Sequence, residues 1–169
     1  RFADDFVACF EEEADARRFR TELTERLSAF DLEVEPSKTA VIRFGNEAQR
    51  SCHQDGLCRP EAFSFLGFTH FCGRSRRGKF IVGRRTSRKK FRKKCKELVD
   101  WLKRIRNYVP VKQWWPILAA KLRGHYQYYG VSGNMPSLAR YYHVAIRQTL
   151  KWLNRRSQRR SFNWERFIQ

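Results

Sequence analysis

Near residue 84 the hydrophobic period of this sequence changes, and the change divides what its two parts can become. Beyond that point Phe91, Cys95, Leu98, Leu102 and Ile105 recur at alternating spacings of four and three, the repeat of one apolar helix face. Lys89, Arg92, Lys93, Lys96 and Lys103 fall on the opposite face. Ser87 has the chemistry of an N-cap, and Pro110 marks a stop. A second helix reads from about 112 to 129, with Pro116 expected in its first turn. VSGNMP at 131–136 reads as a turn, and a third helix covers about 137–156 with Leu138, Tyr142, Ala145, Thr149 and Leu153 inward. The tail SFNWERF suggests a short final turn.

Ahead of residue 84 the apolar runs are shorter and mixed. In FADDFVACF (2–10), two short runs flank Asp4-Asp5, as in a strand, a tight turn and a second strand. Acidic residues at 11–15 suit the positive first turn of a helix. Phe19, Leu23, Leu27 and Phe30, with Ala16, then predict an amphipathic helix over roughly 13–29. KTAVIRF (38–44) reads as a strand on its β-branched residues. The polar stretch 45–61, with Gly45, Gly56 and Pro60, reads as a loop. Phe63–Phe71 and Lys79–Val82 read as a hairpin around the basic turn GRSRRG. The fold class is therefore α+β: antiparallel strands plus a helix over 1–84, then an all-α three-helix part over 85–169.

Charge divides in a similar way. Residues 1–47 hold 7 basic and 12 acidic side chains, a net of −5, whereas residues 48–169 hold 29 and 5, a net of +24. A uniform solubility charge does not segregate so, and the natural partner of the basic part is a polyanion, most often nucleic acid. Hydrophobic residues at 41% supply a core and exclude disorder throughout. The longest apolar run, Phe6–Phe10, is five residues, far short of the about 20 that a spanning helix needs. A membrane partner is therefore not expected. Five cysteines at irregular spacing argue against a secreted disulfide framework and for a reducing interior. The chain begins with Arg1 and reads as a piece of something longer.

Asp4-Asp5 is the sharpest chemical feature. Adjacent carboxylates at a turn repel, and a divalent cation resolves the repulsion. Mg²⁺ commonly takes one or two carboxylates together with substrate phosphates, although turns favour Asp on their own account. Cys52, Cys58, His70 and Cys72 raise the question of zinc, but their C-x5-C and H-x-C spacings do not suit it, and zinc is not expected. The basic surface offers Arg84, Arg85, Lys89, Lys90, Lys93 and Lys94 along one helix and its entry. Later helices add Arg123, Arg147, Lys151, Arg155, Arg156, Arg159 and Arg160. Tyr126, Tyr128, Tyr129, Tyr141, Tyr142, Trp114 and Trp115 can stack on unpaired bases, yet helical spacing makes most of them core.

Five segments in order carry a resemblance. RFADDFV resembles the aromatic-x-Asp-Asp motif of the reverse transcriptase palm, with Phe2 at the aromatic position. LEVEPSKTAVIRFG resembles the Lys-Thr strand that follows the palm helix, and SFLGFTHF the primer-grip segment. LRGHYQYYGVSGN, and then YHVAIRQTLKWLNRRSQ with WERF, resemble the thumb of group II intron-encoded reverse transcriptases, the maturase domain. The resemblance implies a partial palm over 1–84 and a thumb/maturase part over 85–169. It implies an RNA-directed DNA polymerase and splicing maturase as the intact protein, cytoplasmic and nucleoid-associated when on a DNA target. In it Asp4 and Asp5 would bind catalytic Mg²⁺, and Lys38 would lie near the phosphates of the incoming dNTP. Phe65, Leu66 and Gly67 would form the primer grip. The basic helices would bind structured intron RNA and the duplex of RNA template and DNA primer. The family's third palm aspartate and its fingers have no counterpart in this sequence, so these residues alone are expected to be inactive in primer extension. The alternatives are a non-catalytic RNA-binding maturase-like module, or part of a retron or CRISPR-associated reverse transcriptase.

Overall fold

The computed structural model describes residues 2–54, 56, 59–156 and 163–168. Cys58, Arg159 and Arg160 lie outside the described residues. The elements run α1 (Glu13–Ser28), α2 (Asn46–Gln54), β1 (Phe63–Phe65), β2 (Phe68–Arg74), β3 (Phe80–Thr86), α3 (Arg88–Ile105), α4 (Val111–Tyr129), α5 (Met135–Asn154) and the short α6 (Trp164–Ile168). The architecture is α+β, with an antiparallel sheet in the order β1-β2-β3. No helix among the described residues is long and apolar enough to cross a membrane. The chain forms two compact units: Arg1–Phe65 with Phe71–Val82, and Leu66–His70 with Gly83–Gln169. The division is thus not a single cut near residue 85, because a short segment ahead of it belongs to the second unit.

In the first unit α1 forms where the periodicity places it. Glu13 and Asp15 occupy its first turn, where the helix dipole favours negative charge. It ends through Asp31 in the left-handed region (φ +57°), and the Leu32 N–H returns to the Leu27 carbonyl at 3.0 Å. Its apolar face is only partly covered. Phe19 meets Phe10 and Phe6 at ring separations of 5.2 and 6.5 Å, and no residue of α1 is buried.

Two readings of this unit need correction. Residues 38–44 form no strand, despite their β-branched side chains. A strand needs a paired neighbour; here the Arg43 N–H donates to the Glu61 carboxylate at 3.1 Å, and the Gly45 N–H to Cys72 Sγ at 3.4 Å. The supposed loop after it contains α2, a mostly polar helix that buries Ala48 and Cys52, four residues apart on one face. Glycine and polarity hid a helix whose apolar stripe is only two residues wide.

FSFLGFTHF is likewise not one strand. The chain turns at Leu66-Gly67, both left-handed (φ +48° and +82°), the backbone of a two-residue type I′ hairpin turn. The GRSRRG turn behaves as expected: the Gly78 N–H reaches the Ser75 carbonyl at 2.9 Å, and Gly78 takes the left-handed position (φ +75°).

In the second unit α3, α4 and α5 enclose one core. Leu98 and Leu102 of α3 meet Trp114 and Leu118 of α4 and Tyr141, Ala145, Trp152 and Leu153 of α5. Ser87 caps α3 as predicted, accepting the Lys90 N–H at 3.4 Å. Pro116 sits a turn deeper in α4 than predicted, because the helix already begins at Val111. On α5 the inward tyrosine is Tyr141, and Tyr142 is exposed. The ring of His125 stacks on Tyr141 with centroids 3.7 Å apart. Burial, aided by the Lys94 charge, lowers the His125 pKa to about 4, so the ring is neutral near pH 7. Burial pushes the Tyr141 hydroxyl up to about 12.

Asn134 joins separate segments of this unit. Its side chain is fully buried; Oδ1 accepts the Thr86 N–H at 2.8 Å, while Nδ2 donates to the Tyr129 carbonyl at 2.8 Å and to Thr86 Oγ1 at 2.9 Å. An amide with both donors and its acceptor engaged fixes where β3 ends and where α5 begins.

Candidate nucleic-acid interface

The Asp pair lies on a tight turn. Phe2 and Asp5 exchange both backbone bonds, N–H to carbonyl, at 2.8 and 3.0 Å, and Ala3 occupies the left-handed region (φ +50°). The corner is therefore Ala3-Asp4, with Asp5 paired beside it, rather than Asp4-Asp5 flanked by two strands. Both carboxylates are exposed. Their oxygen chemistry suits a hard cation such as Mg²⁺, but no group of three or more His, Cys, Asp or Glu among the described residues is arranged to hold a metal ion. Lys38 is exposed in a turn after Pro36, beside Glu35, whose carboxylate accepts from Ser37 Oγ at 2.7 Å. Those Ser37 bonds, with the Lys38 charge, hold Glu35 below the usual carboxylate range. No salt bridge among the described residues joins Lys38 to Asp4 or Asp5.

Phe65, Leu66 and Gly67 form the end of β1 and the turn after it. Within the second unit, Tyr128 Oη donates to the Leu66 carbonyl at 2.9 Å, and the Ser87 N–H donates to the Gly67 carbonyl at 2.9 Å. A Cβ added to Gly67 would lie 3.2 Å from Tyr129 Oη, so glycine serves both the turn and the close approach. Phe68 stacks on Tyr128 with centroids 6.0 Å apart. Sequence reasoning missed these tyrosine ties, since nothing in a sequence aligns residues 62 apart.

The cations predicted to contact RNA separate into groups. Arg84 and Arg85 are both exposed, but they lie on β3 and not at a helix entry. Successive strand residues point to opposite faces, so the two cannot serve one surface. Lys89, Lys90 and Lys93 are exposed on α3. Its first turn holds Arg88, Lys89 and Lys90 and no acid, against the positive end of the helix dipole. A bound anion would reverse that unfavourable arrangement. Lys94 is half-buried and paired with Glu97 at 2.9 Å, which holds that carboxyl below its ordinary range. Arg156 is also partly committed: its guanidinium donates to the Val109 carbonyl at 3.2 Å, tying the end of α5 to the α3–α4 connection. Arg123 is exposed on α4.

Arg147, Lys151 and Arg155 come together. They are three successive members of an i, i+4 row on α5 that starts at His143, and all four line a cavity of about 960 Å³ with Asn163 and Trp164. Lys151 and Arg155 also lie over the ring of buried Trp152, at 5.4 and 5.2 Å, together with Lys103 and Arg106 from the end of α3 at 5.7 and 4.7 Å. Among the described residues the second unit's one salt bridge is Lys94–Glu97, so none of these four cations has an acid partner there. Spacing along α5 could have found His143; Lys103, Arg106 and Trp164 needed the tertiary structure. Of the aromatic residues considered for stacking, Trp114, Tyr129 and Tyr141 are core, while Trp115, Tyr128 and Tyr142 are exposed.

No family model matches this chain, and comparisons with curated proteins and with solved structures give no match.

Proposed function

We propose that this chain is the C-terminal part of a group II intron-encoded reverse transcriptase and maturase, and that its helical unit binds structured RNA. The reading rests on the resemblance of five ordered segments. The observation that carries the RNA-binding part is the acid-poor, strongly basic surface of α3–α5, on which Lys94–Glu97 is the one salt bridge among the described residues. Unpaired like charges on a helix cost stability, about 0.2–0.5 kcal/mol per i, i+4 pair, and a phosphate backbone offsets that cost. In the intact enzyme Asp4 and Asp5 would hold Mg²⁺, which supplies charge stabilisation for nucleotidyl transfer, and the primer–template duplex would be a second ligand of the basic helices.

The test is salt-dependent affinity for a structured RNA. Neutralising about five phosphates gives a log–log slope near −4.5, an affinity loss of several hundredfold between about 50 and 200 mM salt. Absence of RNA binding, or binding indifferent to salt, overturns the proposal.

A further inference from the structure

We infer that the groove between α5 and α6 is a binding site for single-stranded nucleic acid, with the His143–Arg147–Lys151–Arg155 row following consecutive phosphates and Trp164 stacking on an unpaired base. This rests on the RNA-binding reading above and names where, and in which form, the polymer is held.

Successive members of an i, i+4 row rise by about 6 Å, so Arg147, Lys151 and Arg155 place cations along α5 at a repeat comparable to that of phosphates along one strand. Its position is not explained by helix electrostatics alone. Lys151 and Arg155 sit at the C-terminal end of α5, where the dipole favours cations, but Arg147 lies a turn too early to gain from it. The row keeps its mutual repulsion without an acid partner among the described residues. Trp152 is the second, independent observation. Its buried ring faces Lys151 and Arg155, restraining two otherwise flexible side chains before any ligand arrives. Such restraint lowers the entropy lost on binding. Lys103 and Arg106 enlarge the positive field around the same ring.

The other wall identifies a base rather than a bare anion. Trp164 is 45% exposed, and its neighbour on α6, Phe167, packs against the core and the ring of Trp115. The indole is thus held from behind and open in front. A volume of about 960 Å³ is near the upper end of the ~300–1,000 Å³ usual for ligand sites, and its lining combines Arg147, Lys151 and Arg155 with the apolar surfaces of Leu150 and Trp164. Cations in a row with one open indole fit a backbone and a splayed base, the arrangement of single-strand readers. A duplex keeps its bases stacked away from such a surface.

The experiment uses the full chain and two fluorescent probes, a short oligouridylate and an RNA hairpin without unpaired loop pyrimidines. Trp164→Ala is expected to weaken the oligouridylate about tenfold, within the range for one stacked base, and to change hairpin affinity by less than about twofold. Trp164→Phe should restore most of the loss. Lys151→Gln should lower the salt slope for oligouridylate by about one. An unchanged oligouridylate affinity in Trp164→Ala overturns the inference, as does an equal loss on both probes. Displacement of oligouridylate by inorganic phosphate or by phosphatidylserine vesicles at matched charge also overturns it, since either marks a general anion surface. If the wild-type chain binds the hairpin with strong salt dependence while these variants have no effect, only the groove assignment fails. If it binds neither probe, the proposed function fails with it.

Discussion

α1 and α3 have the same hydrophobic period and opposite fates. α3 buries Leu98 and Leu102 in a core shared with two other helices. α1 buries nothing, and in the same unit Phe2, Phe6, Val7, Phe10, Phe30 and Leu32 are exposed. Amphipathicity therefore specifies which face of a helix seeks cover, whereas the cover itself comes from other elements. The salt bridges follow the same division. α1 carries Arg17–Glu13, Arg18–Asp15 and Arg18–Glu22, local pairs that hold a solvent-exposed helix together. In the helical unit the charges are mostly of one sign, and stability rests on packing.

The strongest challenge to this contrast is a pair of truncations. Leu102→Ala should cost about 3–5 kcal/mol, as expected for a buried leucine in a tight core. Phe19→Ala, at a ring 36% exposed, should cost only about 1 kcal/mol. All five tryptophans lie beyond residue 100, so denaturant curves followed by tryptophan fluorescence report the helical unit, and curves followed by far-ultraviolet circular dichroism report α1 as well. Equal shifts in both variants would remove the distinction. Next in size, Asn134→Ala should destabilise the helical unit by about 2–3 kcal/mol, because the Thr86 N–H and the Tyr129 carbonyl lose their partner in a buried place. A loss below about 0.5 kcal/mol would mean that water replaces the amide.

A pH dependence tests the helical core separately. The folded His125 pKa, about 4, is below its ordinary value of 6.5, so the unfolded chain takes up a proton first as pH falls. Its stabilising contribution is complete above about pH 6.5 and is lost between that pH and about 4, at up to about 1.4 kcal/mol per pH unit. His125→Phe keeps the ring stack and should flatten the difference. Unchanged pH dependence in that variant would assign the titration elsewhere.

The sequence read well where packing repeats along a helix. The amphipathic pattern located α1, α3, α4 and α5 to within a few residues, and Ser87 announced its cap. It read poorly where partners are distant. Residues 38–44 had the propensity of a strand but no neighbour to pair with, and α2 buries only Ala48 and Cys52. Leu66 hid a turn because leucine is a rare occupant of the left-handed region. At the interface the cations were visible in sequence, yet their allotment was not. Lys94 and Arg156 are drawn into internal bonds, while Lys151 and Arg155 converge on Trp152.

The hydrogen bond from Tyr128 to Leu66 has a bearing on the order in which the chain assembles. It closes a span of 62 residues, whereas α3, α4 and α5 follow one another through short connections. Loop-closure entropy grows with the length enclosed, and contacts close in sequence form before distant ones. The α-helices, whose contacts are local, are therefore expected to form before this long-range bond closes. The turn at Leu66-Gly67 is tied down only once the helix carrying Tyr128 is in place to receive it.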